Sequence, residues 1–189
     1  MLKDWITPSR TALLLIDMQR DFAAPVTQTA IHQAEILADA ARAANVPCIF
    51  IRLVTTGDDF LREWKSRRGQ SDSPLCREGT PGADFVGPKP KSGELVFSKK
   101  RYSAFFGTGL DAELRGQGID TLVVAGLTTE CCIDSSVRDA FERGYHVYVV
   151  GDATACEEPG LHQAALKALG LNCAQIVSSA ETVQVWNSL

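Results

Sequence analysis

The segment Thr11–Ile16 reads TALLLI, apolar almost throughout, and β-rich runs recur at Pro47–Val54, Glu94–Phe97, Thr121–Ala125, Tyr145–Val150 and Ala174–Val177. Runs of this kind belong to strands buried on both faces of a sheet. Between and after them lie stretches with helical spacing, at Thr29–Ala44, Cys131–Arg143, Leu161–Leu169 and from about Ala180 to Trp186. The alternation predicts an α/β fold, a mostly parallel six-stranded sheet with helices on both faces. No repeat, low-complexity tract or composition shift divides the chain, so residues 1–189 read as one domain. One stretch breaks the rhythm. Thr55–Gly93 is rich in Gly, Pro, Ser and charge; it is predicted to hold a short helix at Asp58–Ser66 and to shape one wall of a pocket.

Charge and cysteine usage narrow the function classes. With 19 Lys and Arg against 23 Asp and Glu the formal net charge is −4, so no nucleic-acid partner is expected. The basic stretches Lys65–Arg68 and Lys99–Arg101 are too short to track a phosphate backbone. The opening MLKDWITPSR lacks an apolar signal core, and Asp17 interrupts the first apolar run. No membrane association is expected, and the location is read as cytoplasmic. Six cysteines contain no CxxC pair and only three histidines accompany them, so neither a disulfide framework nor a zinc site is predicted.

In open α/β sheets, sites form beyond the carboxyl ends of the strands. Three of those ends carry reactive groups: Asp17 after the first, Lys99-Lys100-Arg101 after the third, and Cys131-Cys132 in the turn Gly126–Cys132 after the fourth. A thiol at a helix N-terminus beside an ammonium gains thiolate character, and a carboxylate can take its proton. Main-chain N–H groups of the turn suit an oxyanion. Each residue alone also reads blandly, as a turn aspartate, a solvated lysine or a packing cysteine; their coincidence at three strand ends carries the functional reading.

These motifs resemble one known family. Asp17-Met18-Gln19, Lys99 through Phe105, Gly126 through Ile133, Asp134 through Ala140, Gly144-Tyr145 and Asp152-Ala153 together resemble the isochorismatase-like cysteine hydrolases. The resemblance implies a three-layer α/β/α, Rossmann-like fold and a catalytic triad of Asp17, Lys99 and Cys132. It selects Cys132 over Cys131 and Lys99 over Lys100. It implies a cis peptide bond at Leu127–Thr128, an oxyanion hole from the N–H groups of Thr128 and Cys132, and a homo-oligomer, dimer or tetramer. No cofactor is implied, and the partner is a small-molecule substrate.

Departures from the family pattern point to a branch. The nicotinamide-deamidating members share an Asp-x-His metal site after the second strand, whereas this chain reads Ile51-Arg52-Leu53-Val54-Thr55-Thr56 there. The run Arg101–Thr108 and the Gly79–Ala83 loop look closest to the ureidoacrylate and N-carbamoyl amidohydrolases. The expected activity is hydrolysis of a small amide or carbamoyl compound through a thioester. Gln19, Phe22, Arg52, Trp64, Tyr102 and Phe106 are candidate pocket residues, and Arg52, Arg67 or Arg68 could bind a substrate carboxylate. The alternative is a non-catalytic α/β domain that binds a small molecule or partner, with Cys131–Cys132 as a redox-sensitive pair. A flavodoxin-like module is disfavoured, since no GxGxxG follows the first strand.

Overall fold

A computed structural model describes residues 2–4, 6–56 and 75–188. Its sheet has six strands: β1 (Thr11–Ile16), β2 (Cys48–Leu53), β3 (Leu95–Lys99), β4 (Thr121–Leu127), β5 (His146–Ala155) and β6 (Gln175–Val177). Their spatial order is β3-β2-β1-β4-β5-β6 and every pairing is parallel. The chain direction therefore reverses between β1 and β4, the switch point where open α/β sheets place ligands.

Alternation along the strands sorts side chains into two cores. Ala12, Leu14 and Ile16 of β1 face one cluster with Ile49, Ile51, Leu122, Val124, Val137 and Leu169. Leu13 and Leu15 face the other, with Leu37, Phe50, Val123, Tyr148 and Trp186. The first cluster is covered by α2 (Leu110–Gly116), α3 (Asp134–Glu142) and α4 (Pro159–Asn172), the second by α1 (Gln28–Ala43) and α5 (Ser179–Trp186). Helices thus cover both faces, giving three layers. Trp186 is a core residue, and its indole N–H reaches the Ile6 carbonyl at 3.3 Å.

The helix α1 shows why local sequence and packing agree. Ala30, Ile31, Ala34, Leu37, Ala38 and Ala41 recur at helical spacing and are all buried. Asn45 ends the helix with a left-handed φ of 58°, and the N–H of Val46 reaches back to Ala41.

Four details differ from the sequence reading. The sheet is wholly rather than mostly parallel. β3 runs on through Ser98 and Lys99, because the alternation of Leu95, Phe97 and Lys99 toward the α3 side continues to the end of the strand. β5 continues to Ala155 through an irregularity opposite Val124–Gly126, where extra residues disrupt the register. The short helix α2 was not anticipated; glycines at Gly107, Gly109, Gly116 and Gly118 mask its periodicity. The expected helix at Asp58–Ser66 lies outside the described residues.

Candidate active site

β1 delivers Asp17 at its carboxyl end, where the backbone turns through φ 51°. The Asp17 N–H donates to the Ile51 carbonyl, and its own carbonyl accepts from Gln19 N–H. This hairpin of the main chain lets the carboxylate leave the strand's alternation and swing over the switch point. β3 delivers Lys99, one of the largest fully buried side chains in the molecule.

The Lys99 ammonium is the hub. Its Nζ lies 2.7 Å from Asp17 Oδ2, with both side chains fully buried. It donates to the Arg101 carbonyl at 3.0 Å and to Cys132 Sγ at 3.3 Å. An ammonium carries three hydrogens, and three acceptors surround this one. Burial alone would lower the Lys99 ammonium; the Asp17 charge and the Cys132 sulfur outweigh it and hold the group raised, so it is protonated throughout the ordinary pH range. The Asp17 side is less complete. Among the described residues neither carboxylate oxygen has an aligned hydrogen-bond donor, although the ion pair is close.

β4 delivers the thiol. Gly126 sits at φ 142° directly beside β1, where a Cβ would lie 2.0 Å from the Ile16 carbonyl oxygen. Only glycine lets the two strands meet so closely at the switch point. The Leu127–Thr128 bond that follows is cis. The chain then forms a π-helical turn, Thr129–Ile133, before α3 begins. Cys131 and Ile133 N–H groups both donate to the Thr128 carbonyl, at 3.2 Å each, and Cys132 stands between them in the chain.

Cys132 is 4% exposed. The neighbouring Cys131 thiol, burial and the Asp17 charge push its thiol well up, against the pull of Lys99. Lys99 bridges the sulfur to Asp17, whose oxygens have no aligned donor among the described residues. Cys131 is partly exposed.

Other bonds fix the nucleophile's frame. Ser136 Oγ donates to the Cys132 carbonyl at 2.6 Å and accepts the Ala104 N–H at 2.9 Å, joining the start of α3 to the loop after Lys99. Ser103 Oγ donates to Asp139 at 2.6 Å, a second tie between the same parts. Ser136 went unremarked in the sequence, yet it follows Cys132 by four positions, the spacing that shares a helix face.

The candidate pocket residues divide. Gln19 is fully buried, but its amide donates to the carbonyls of Leu53 and Ala83 and accepts the Leu53 N–H. It stitches β2 to the 81–83 turn, and its amide is not available to a substrate. Arg52 alternates with Phe50 toward the α1 face, away from Lys99, and donates to Ser98 Oγ at 3.0 Å. Phe22 packs partly buried against the α1-side core. Tyr102 and Phe106 are 42% and 64% exposed, whereas Phe105 turns inward and meets Tyr145. Trp64, Arg67 and Arg68 lie outside the described residues. Two surface hollows, of about 320 and 520 Å³, lie beside Asn45–Ile49 and beside α1; neither is lined by Asp17, Lys99 or Cys132.

Among the described residues no cluster of three His, Cys, Asp or Glu could hold a metal ion. None of their helices is long and apolar enough to cross a membrane.

Known proteins resemble this chain in sequence and fold. The family model for the isochorismatase domain matches residues 11–181. The ureidoacrylate amidohydrolase RutB of Methylobacterium radiotolerans is 31% identical, over 85% of this chain and 73% of its own length. Among solved structures, a cysteine hydrolase from Pseudomonas syringae pv. phaseolicola superposes with a TM-score of 0.86 at 27% identity, covering 97% of this chain and 95% of its own. N-carbamoylsarcosine amidase from Thermoplasma acidophilum superposes with a TM-score of 0.77 at 29% identity, covering 90% and 96%.

Proposed function

From the fact that the chain belongs to the isochorismatase family of hydrolases, we propose that it hydrolyses the C–N bond of a small amide or carbamoyl compound, with Cys132 as nucleophile. The observation that carries this reading is the placement of one buried ammonium, Lys99, between a carboxylate at 2.7 Å and a sulfur at 3.3 Å. The relatives named for ureidoacrylate and N-carbamoylsarcosine support the substrate class.

The steps follow from the geometry. Asp17 takes the thiol proton, and the sulfur attacks the substrate carbonyl carbon. The resulting oxyanion is held by the N–H groups of Thr128 and Cys132. Asp17 then returns the proton to the departing nitrogen, the C–N bond breaks, and a thioester remains on Cys132. For a carbamoyl substrate the same adduct is a thiocarbamate. Water, deprotonated by Asp17, attacks it; the S–C bond breaks and the thiol is restored. Lys99 stays charged throughout. With hydrogens on the Arg101 carbonyl and the Cys132 sulfur and Asp17 2.7 Å away, it offsets negative charge on Asp17 or on the sulfur without donating a proton itself.

Ureidoacrylate, N-carbamoylsarcosine and simple amides, assayed by ammonia release, form the first panel. Cys132→Ala is expected to abolish turnover while leaving the fold intact, and the wild type is expected to show a covalent adduct on Cys132 when quenched. A Cys132→Ala variant that still turns over would sink the mechanism. A homo-oligomeric assembly and a cytoplasmic setting belong to the same reading; sedimentation of the purified protein tests the first.

A further inference from the structure

The turn that carries Cys132 is fixed on two sides by features already described: Gly126 against the β1 backbone, and Ser136 against the Cys132 carbonyl. Its remaining side faces α4. There Thr129, fully buried, places its hydroxyl oxygen 2.8 Å from Nδ1 of His162. A threonine hydroxyl both donates and accepts, so this bond forms with either tautomer of a neutral ring. Burial lowers the His162 imidazole and the Glu130 charge opposes it.

What makes the bond informative is how little else holds the start of α4. Of its residues only Leu169 is buried, while Leu161 and Leu171 are 52% and 75% exposed. Apolar packing, through Leu166 and Leu169, therefore fixes the second half of the helix and not its start. The start is set by polar contacts: Glu158 caps it, the His162 N–H donates to the Glu158 carbonyl, and the ring reaches across to Thr129. The neighbouring Thr128 hydroxyl donates to Glu130 Oε1 at 3.0 Å. Both threonine side chains flanking the nucleophile's turn are thus held, one from within the turn and one from a separate helix.

We propose that His162 is a positioning residue for hydrolysis. By holding Thr129 it sets the orientation of the Thr128–Cys132 main chain, and with it the aim of Cys132 Sγ and of the N–H groups that receive the oxyanion. The proposal rests on the cysteine-hydrolase reading above. Its energetic leverage comes from orientation, since displacing reacting groups by about 1 Å can cost on the order of 100-fold in rate.

The test compares His162→Leu, His162→Asn and Thr129→Val, read by steady-state kinetics on the best compound of the panel and by the rate at which iodoacetamide labels Cys132. His162→Leu is expected to lower kcat roughly 10- to 100-fold with KM within about twofold. His162→Asn, whose amide reaches the place of Nδ1, restores most of that loss. The double variant His162→Leu/Thr129→Val is no slower than the slower single variant, because both remove one bond. The labelling rate, which needs no substrate, is expected to follow the same ranking. Wild-type kcat and labelling in His162→Leu would overturn the proposal, as would equal losses in the Leu and Asn variants or fully additive losses in the double. Turnover by Cys132→Ala is a separate failure: it removes the parent reading, and this proposal with it.

Discussion

Arg42–Glu94, partly exposed, and Lys99–Asp17, fully buried, are both cation–carboxylate pairs, and they are built in opposite ways. In the first, the guanidinium meets Glu94 with two bonds, at 2.7 and 2.9 Å, and the Lys91 N–H adds a third. Arg42 also donates to the Lys89 carbonyl, so the pair clamps the end of α1 to the turn before β3. Both oxygens of Glu94 are filled. In the second pair the ammonium bonds the Arg101 carbonyl and the Cys132 sulfur and lies 2.7 Å from a carboxylate that has no aligned donor among the described residues. Glu94 is thus fully coordinated, whereas Asp17, the proton acceptor of the proposed mechanism, is fully buried and keeps acceptor capacity among the described residues. The two pairs therefore differ both in burial and in how far the carboxylate is filled.

The largest test of this contrast is Lys99→Met. Removing the ammonium strands the buried Asp17 charge, so stability is expected to fall by about 3 kcal/mol or more, and turnover by roughly 1000-fold. The double variant Asp17→Asn/Lys99→Met is expected to recover most of the stability and none of the activity, measured by urea unfolding and ammonia release. A double variant no more stable than the single one would mean that the pair does not act as a unit. Gly126→Ala comes next: the Ile16 carbonyl leaves no room for a Cβ, and unfolding should show a loss of about 3 kcal/mol. Glu94→Gln is expected to cost about 1–2 kcal/mol and leave kcat and KM unchanged. A large kinetic defect there would erase the distinction between the two pairs.

The smallest effect is a pH dependence. The Arg42 hydrogen bonds hold the Glu94 carboxyl below its ordinary value, against burial. A carboxyl lowered in the folded state contributes fully above its unfolded pKa, about 4.3, and loses that contribution as pH falls through the lowered folded value. Thermal midpoints taken from pH 7 down to about pH 3 should therefore fall more steeply in the wild type than in Glu94→Gln. Parallel curves would show that the clamp carries no proton linkage.

Much of this architecture is legible in the chain because strand signals are local. TALLLI and TLVVA announce buried strands within six residues, and the reactive groups follow at their ends. Lys99 is also readable from period two: it shares a face with Leu95 and Phe97, whereas Lys100 does not. What the chain hides is long-range. Gln19 looked like a pocket residue because nothing nearby shows that its partners are carbonyls 34 and 64 positions away. The Arg52–Ser98 bond is hidden for a related reason, since it depends on which face the end of β2 presents. His162 and Thr129 are 33 positions apart, and neither has a local pattern that points to the other.

Asp17, Lys99 and Cys132 come from the first, third and fourth strands of the sheet. Bringing them together closes loops of 82 and 33 positions, all through parallel crossovers. No hairpin, single βαβ unit or early collapsed form contains all three. Regained activity after dilution from denaturant is therefore a clock for the last tertiary step rather than the first. Recovery of secondary structure should run ahead of it.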